Sequence, residues 1–214
     1  MRTAFPVLEY FPSLTLKRCM DILIASCGLV LLSPLFVILA IGIRINSSGP
    51  TFFRQLRIGK GGQKFWMFKF RTMQDCSEEQ LAGFLTTDPS IRLTYLERQK
   101  LVDDPRITRF GQLLRKTSLD EIPQLWNVLM GDMSLVGPRP FLPEQRGFYG
   151  SLYSQYILFQ PGITGLWQVS GRNEVDFQRW MDLDLEYIDN WSVLLDLKIL
   201  VKTFGVVVKM TNAF

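Results

Sequence analysis

Ile22-Leu-Ile-Ala-Ser-Cys-Gly-Leu-Val-Leu-Leu-Ser-Pro-Leu-Phe-Val-Ile-Leu-Ala-Ile-Gly-Ile43 carries no charged residue, yet Ser33-Pro34 interrupts its middle. As one straight helix it would reach about 33 Å, enough to cross a bilayer. Two features favour a bent segment that dips into the membrane and returns. Pro34 removes a helical N–H and clashes with the preceding turn, while Ser33 can bond a carbonyl that the bend exposes. Both flanks are also basic, with Lys17 and Arg18 before and Arg44, Arg54, Arg57 and Lys60 after. Positive flanks stay on the cytoplasmic side, and a spanning helix cannot leave both ends there. Each half would be only about 18 Å long, against a hydrocarbon core of roughly 30 Å. A proline-kinked spanning anchor is the alternative. A cleaved signal peptide fits poorly, because the run is too long and no small-x-small site follows. A core helix apolar on every side would need a larger protein to cover it.

The chain has 214 residues, enough for one domain with a real core and too few to require two. Its hydrophobic share of 47% is high for a soluble protein and fits partial residence in lipid. A net charge of +4 suits an anionic partner such as a membrane face or a phosphorylated substrate. It also fits the habit of membrane proteins to keep Lys and Arg inside. No helix-turn-helix, zinc or RNA-binding signature is present, so no nucleic-acid partner is expected. Cys19, Cys27 and Cys76 are odd in number and lack CxxC spacing, which argues against a disulfide framework or a zinc site. Histidine is absent altogether. That excludes Ser-His-Asp and Cys-His mechanisms and His-ligated metals. Acid, base and nucleophile must come from Asp, Glu, Lys, Tyr or groups assisted by Arg.

Beyond Gly49-Pro50 the pattern changes. Thr51–Ile58 and Gln63–Arg71 are aromatic-rich and joined by Gly59-Lys-Gly-Gly62, which reads as a β-hairpin. In the second arm Phe68 and Phe70 alternate with Lys69 and Arg71, setting aromatics on one face and charge on the other. Residues 74–104 are polar, with a helix expected over Ile91–Leu101. Phe110–Lys116 reads as a short basic helix and Pro123–Met130 as a second, stopped by Gly131. Gly137-Pro138-Arg139-Pro140 is a stiff loop, and 161–172 reads as turn, short strand, turn. Phe177–Ile188 is helical and acidic. Leu194–Lys209 places Lys198, Lys202 and Lys209 at helical spacing on an apolar background, as in a helix lying in the membrane interface. An ordinary core-packing helix reads equally well there. The expected architecture is α+β: a mostly helical single domain with a small β-hairpin, a re-entrant helix-break-helix within 1–48, and a cytoplasmic domain over 49–214 ending in an interfacial amphipathic helix.

Chemistry concentrates at Leu114-Arg-Lys-Thr-Ser-Leu-Asp-Glu-Ile-Pro-Gln124. Ser118-x-x-Glu121 matches a capping box, which would make Glu121 merely a helix starter. That leaves Asp120 without a role. A carboxylate pair beside Arg115, just ahead of a helix, can instead attack phosphorus or hold Mg²⁺ together with substrate phosphates. Arg139, fixed between two prolines, presents a pre-aimed guanidinium; a surface arginine in a rigid turn is the plainer alternative. Lys69 and Arg71 read either as site cations or as a solvated strand face. Together these features suggest phosphoryl-group chemistry at a membrane surface.

Phe68-Lys-Phe-Arg-Thr-Met73, Asp104-Pro-Arg-Ile-Thr-Arg109, the run Leu114–Val128, Gly131-Asp-Met-Ser-Leu-Val-Gly-Pro-Arg-Pro140 and Pro161-Gly-Ile-Thr-Gly-Leu-Trp167 closely resemble the bacterial sugar transferases, the monotopic polyprenyl-phosphate phosphoglycosyl transferases. The resemblance runs from about Lys17 to the C-terminus. It implies the minimal catalytic form, without the additional N-terminal membrane helices of larger members. The family's Ser-Pro break in a re-entrant helix falls on Ser33 and Pro34. The implied reaction, at the cytoplasmic face of the bacterial inner membrane, moves sugar 1-phosphate from a UDP-sugar to polyprenyl phosphate and releases UMP. The resemblance makes Asp120 the nucleophile of a phosphosugar-aspartyl intermediate and Glu121 a holder of Mg²⁺. It makes Arg115 and Arg139 the phosphate-contacting residues, with Lys69 a further substrate-binding candidate near the site and Asp184 a weaker carry-over. An inactive membrane-docked scaffold for glycan assembly is the competing reading. The oligomeric state is left open, a homodimer among the options.

Overall fold

The computed structural model describes residues 11–74, 83, 104, 106–170 and 177–209. The helix expected over Ile91–Leu101, and Gly171-Arg172, lie outside these residues. Helices α1 (Phe11–Leu31) and α2 (Ser33–Asn46) form the N-terminal pair. They meet at 61° with Leu32 as the only residue between them. The Ser33 hydroxyl donates to the Val30 carbonyl at 2.8 Å, the bond anticipated for a residue at such a bend. Among the described residues no single helix is long and apolar enough to cross a membrane, although the bent pair passes that test jointly. Leu23, Val30, Leu31, Val37, Ile38 and Ile45 of the pair are exposed.

Strands β1 (Phe52–Ile58) and β2 (Lys64–Phe70) form the expected antiparallel hairpin, pairing Phe52 with Phe70 and Ile58 with Lys64. The turn needs positive φ at Gly61 (69°) and Gly62 (76°), which only glycine adopts without strain. Helix α3 (Arg109–Lys116) starts on Thr108, whose side chain accepts the Gly111 N–H. Helix α4 is Gln124–Met130, with Pro123 as its first capping residue and Gly131 closing it at φ 90°. Strand β3 (Ser134–Val136) pairs in parallel with β4 (Gly162–Thr164). The sequence reading placed a short strand somewhere within 161–172 and none at Ser134–Val136. A further correction falls on Leu166–Val169, a helical turn within the stretch 161–172 that was read as turn, short strand, turn. Helices α5 (Phe177–Asp189) and α6 (Val193–Lys209) complete the described chain.

The main core joins Ala25 of α1, Phe65 and Met67 of β2, Val128 of α4, Leu135 and Val136 of β3, and Tyr187, Ile188, Trp191 and Ile199 around α5 and α6. Helix α1 is also fastened by charge. Lys17 Nζ donates to the Val136 carbonyl at 2.8 Å and pairs with Asp196 at 2.6 Å, both residues buried. Asp21 accepts the Leu135 N–H at 3.0 Å. Arg18 donates to the Val128 and Leu129 carbonyls near the end of α4. Helix α2 packs Leu39 and Ile43 against Phe70 and Leu114. On α6, Leu194, Leu197, Val201 and Phe204 form an exposed apolar stripe, with Lys198 and Lys202 exposed beside it.

Candidate active site

The site grows from one strained turn. Helix α3 ends at Thr117, and Ser118 then takes φ 57°, the only positive φ of a non-glycine among the described residues. Such a conformation costs about 1–2 kcal/mol and persists only where surrounding packing demands it. Here Leu119 and Ile122 insert beside Leu39, Ile43 and Leu114. Between these two anchors the 3₁₀ turn Leu119–Glu121 directs Asp120 inward, where 7% of it remains exposed. The capping box is not formed: the Ser118 side chain makes no cap bond.

Strand β2 approaches from the other side. Its alternation sets Phe65, Met67 and Lys69 on one face and Trp66, Phe68 and Phe70 on the other. The separation of charge from aromatics anticipated for Lys69 and Phe70 is therefore present, but the charged face points inward. Lys69 Nζ stands 2.7 Å from Glu121 Oε1 and 4.0 Å from Asp120 Oδ2. Asn127, fully buried on α4, fixes this approach: Oδ1 accepts the Phe68 N–H at 3.0 Å, and Nδ2 donates to the Trp66 carbonyl at 2.7 Å.

Arg115 Nε donates to Thr72 Oγ1 at 2.9 Å. Its charge faces Asp120 first, then Asp104, Arg106 and Glu121, and burial lowers its pKa. Asp104 and Arg106 form a buried bidentate pair nearby, with Oδ2···Nη2 at 2.5 Å. Arg139 acts on Glu121 and not on Asp120. Its N–H donates to Asp184 Oδ2 at 3.0 Å, and its guanidinium lies over the neighbouring rings of Trp167 (5.0 Å) and Trp180 (4.8 Å), whose centroids are 5.2 Å apart. Arg139 faces Glu121, Tyr149 and Asp184. Burial pushes the Asp184 carboxyl up to about 7, against the Arg139 N–H and charge and the Tyr156 hydroxyl, which lower it.

Burial likewise raises Asp120 to about 6; Lys69 and Arg115 oppose the rise and Glu121 adds to it. A carboxylate in this setting ionises near neutral pH and is poorly solvated, both useful for a nucleophile. Among the described residues no three Asp, Glu, Cys or His cluster as a metal cage. Asp120 and Glu121 still fit Mg²⁺, which characteristically takes one or two carboxylates and completes its shell with phosphates and water. Lys69, Asp120 and Glu121 thus meet directly, Arg115 lies within electrostatic reach of both carboxylates, and Arg139 reaches only the Glu121 side. Ser33 and Pro34 belong to the helix bend.

The family described as bacterial sugar transferase matches residues 12–210. The chain belongs to the bacterial sugar transferase family. It is 46% identical over 199 residues to the UDP-galactose-lipid carrier transferase of Erwinia amylovora, covering 93% of this chain and 42% of that relative. It is 43% identical over 199 residues to the undecaprenyl-phosphate galactose phosphotransferase of Salmonella typhimurium, again 93% of this chain and 42% of the relative. The exopolysaccharide production protein ExoY of Sinorhizobium fredii is 43% identical over 191 residues, covering 89% of this chain and 84% of ExoY. The chain thus spans less than half the length of the first two.

Three residues of this sugar transferase chain were not given site roles by sequence reasoning. Asn127 lay in a quoted motif without a function. Trp180 carried no signal beyond membership of an amphipathic helix. Arg57 was taken for a flanking charge of the apolar segment, yet it is buried on β1, within electrostatic reach of Arg139 and Glu121. Its position opposite the inward-facing Phe65 in the hairpin register is the signal that could have found it.

Proposed function

We propose that this chain transfers sugar 1-phosphate from a UDP-sugar to polyprenyl phosphate through a covalent aspartyl intermediate. The observation that carries this reading is Asp120, buried on a strained turn, 4.0 Å from Lys69 and electrostatically paired with Arg115. An Asp120 oxygen attacks the sugar-bearing phosphorus, a P–O bond to aspartate forms, and the bond to the bridging oxygen breaks, so UMP departs with that electron pair. In the second step a phosphate oxygen of the polyprenyl phosphate attacks the same phosphorus. The bond to Asp120 breaks, regenerating the carboxylate and giving a polyprenyl diphosphate sugar. Two sequential displacements let a soluble donor and a lipid acceptor share one site, and no histidine is needed.

Lys69, Arg115 and Arg139 hold phosphate oxygens and offset the charge that repels a carboxylate from a diphosphate. Asp120 and Glu121 would hold Mg²⁺, which supplies further neutralisation of phosphate charge when bound. The names of the relatives, which include undecaprenyl-phosphate and UDP-sugar transfer, support both substrates. The 61° break at Ser33-Pro34 and the exposed apolar faces of α1, α2 and α6 support a re-entrant anchor and an interfacial helix on the cytoplasmic face of the inner membrane. Such anchoring keeps the site beside the lipid phosphate. The test is incubation with UDP-sugars and Mg²⁺, reading UMP release and a phosphosugar adduct on Asp120 by mass spectrometry. Asp120→Asn should lose both. Product formation at the wild-type rate in that variant refutes the mechanism.

A further inference from the structure

Arg57 is a buried cation that forms no ion pair among the described residues, although Glu121 and Glu144 lie within electrostatic reach. Only 8% of it is exposed. Nη1 donates to the Pro140 carbonyl at 3.0 Å and Nη2 to Gln55 Oε1 at 2.6 Å. Nε is buried without a hydrogen-bond partner among the described residues. Among the described residues neither Arg57 nor Arg139 stands in an ion pair. Strand β1 continues onto the same loop through Ile58 N–H, which donates to the Phe141 carbonyl at 3.0 Å. Arg57 therefore grips the backbone one residue past Arg139, whose guanidinium rests on the adjacent rings of Trp167 and Trp180. The two guanidiniums repel each other, and Tyr149 and Glu121 face both.

A buried Arg57 and a half-buried Arg139 that repel each other, neither in an ion pair among the described residues, are costly to hold, and a bound anion lowers that cost. The arrangement is also asymmetric. Asp120 faces Lys69 and Arg115, whereas Arg57 and Arg139 reach Glu121. A nucleotide diphosphate has one phosphorus to be attacked at Asp120 and a second that departs with the charge. The Arg57–Arg139 pair acts on the Glu121 side of the acidic pair and not on Asp120. We propose that Arg57 is a positioning residue for the departing nucleotide phosphate, holding the Pro140 carbonyl so that Arg139 presents its guanidinium, and adding its own charge there. This inference rests on the transfer reaction proposed above.

In a two-step displacement, kcat/KM for each substrate reports its own half-reaction, so the two steps separate cleanly. The full chain, in lipid nanodiscs, is assayed as wild type, Arg57→Gln and Arg57→Lys, with UMP binding followed by calorimetry. For Arg57→Gln the expected result is a loss of about tenfold or more in UMP affinity and in kcat/KM for the UDP-sugar, the scale of a lost charged hydrogen bond. The value of kcat/KM for polyprenyl phosphate should stay within about twofold, and Arg57→Lys should restore part of the loss through its charge. Unchanged UMP affinity, or equal losses for both substrates, overturns the assignment. If Arg57→Gln does not fold, Arg57→Lys decides: weaker UMP binding with an intact lipid half-reaction supports the assignment, and wild-type values overturn it. A wild type that binds UMP but never releases it from a UDP-sugar refutes the transfer reading, leaving Arg57 judged on UMP binding alone. A wild type that does not bind UMP overturns the Arg57 assignment.

Discussion

Lys69→Met keeps the side chain's volume while deleting the charge nearest Asp120. At 4.0 Å two unit charges interact by about 4 kcal/mol at an effective dielectric of 20 and about 1 kcal/mol in water. The Lys69 side chain is 26% exposed and that of Asp120 11%, so the value falls between those limits. About 2 kcal/mol corresponds to about 1.5 pH units. Lys69 is the largest influence holding Asp120 down, so its removal lifts that carboxyl from about 6 towards about 7.5. If Asp120 reacts as the carboxylate, the acid limb of kcat/KM for the UDP-sugar must move up by the same amount. Beyond any loss common to all pH values, activity falls by about eightfold near pH 6.5 and hardly at all near pH 8.5. The assay is UMP release across about pH 5 to 9, with Lys69→Arg as the charge-preserving control. An acid limb that stays in place or moves down in Lys69→Met would refute the assignment of Asp120 as the group that must ionise.

Asp120→Asn should also stabilise the fold. The folded-state value of about 6 lies above the ordinary 3.8, so the penalty is absent below about pH 4, grows to about pH 6 and stays constant above it. Thermal melts should show Asn gaining up to about 3 kcal/mol at pH 7 and nothing near pH 4; equal stability at pH 7 would remove the case for a destabilised carboxylate. At the left-handed Ser118, glycine should hold stability within about 1 kcal/mol and keep UMP release, while Ser118→Val costs about 2 kcal/mol and most activity. Denaturant melts and the UMP assay read both, and an active, stable Ser118→Val would show that the turn is not needed. Lys17→Met leaves Asp196 buried and uncompensated and should cost about 3–5 kcal/mol, much of it recovered by adding Asp196→Leu. A single variant that melts like wild type would show the pair to be solvated.

What the sequence disclosed was what local physics decides. The hairpin follows from strand alternation and a glycine turn, the α1–α2 bend from Ser33-Pro34, and the end of α4 from Gly131. The acidic pair stood out because nothing else in a histidine-free chain could serve phosphorus so directly. Non-local choices were hidden. Strands β3 and β4 are three residues each and pair across an intervening segment of 25 residues (137–161), so neither announces itself through alternation. Ser118-x-x-Glu121 has the spacing of a capping box, but burial of Leu119 and Ile122 against α2 imposes the left-handed turn instead. The charged face of β2 was legible as a face and not as an interior one, because its destination lies on a different element. Arg57 failed for the same reason: its surroundings come from the Pro140 loop, far away in the chain.

The bend between α1 and α2 enters the chemistry through what each half braces. Helix α2 packs Leu39 and Ile43 on Leu114 and Leu119, the residues that bracket Arg115 and lead into Asp120. Helix α1 instead holds β3, through Lys17 on the Val136 carbonyl and Asp21 on the Leu135 N–H. Three residues after Val136 comes Arg139. The segment carrying Arg115 is therefore braced by α2, and the strand leading to Arg139 by α1. Packed interiors transmit such displacements because they compress little. A Pro34→Ala variant that alters the angle between the halves is therefore expected to weaken UMP binding, and unchanged UMP affinity would show that neither half acts on the site through its packing.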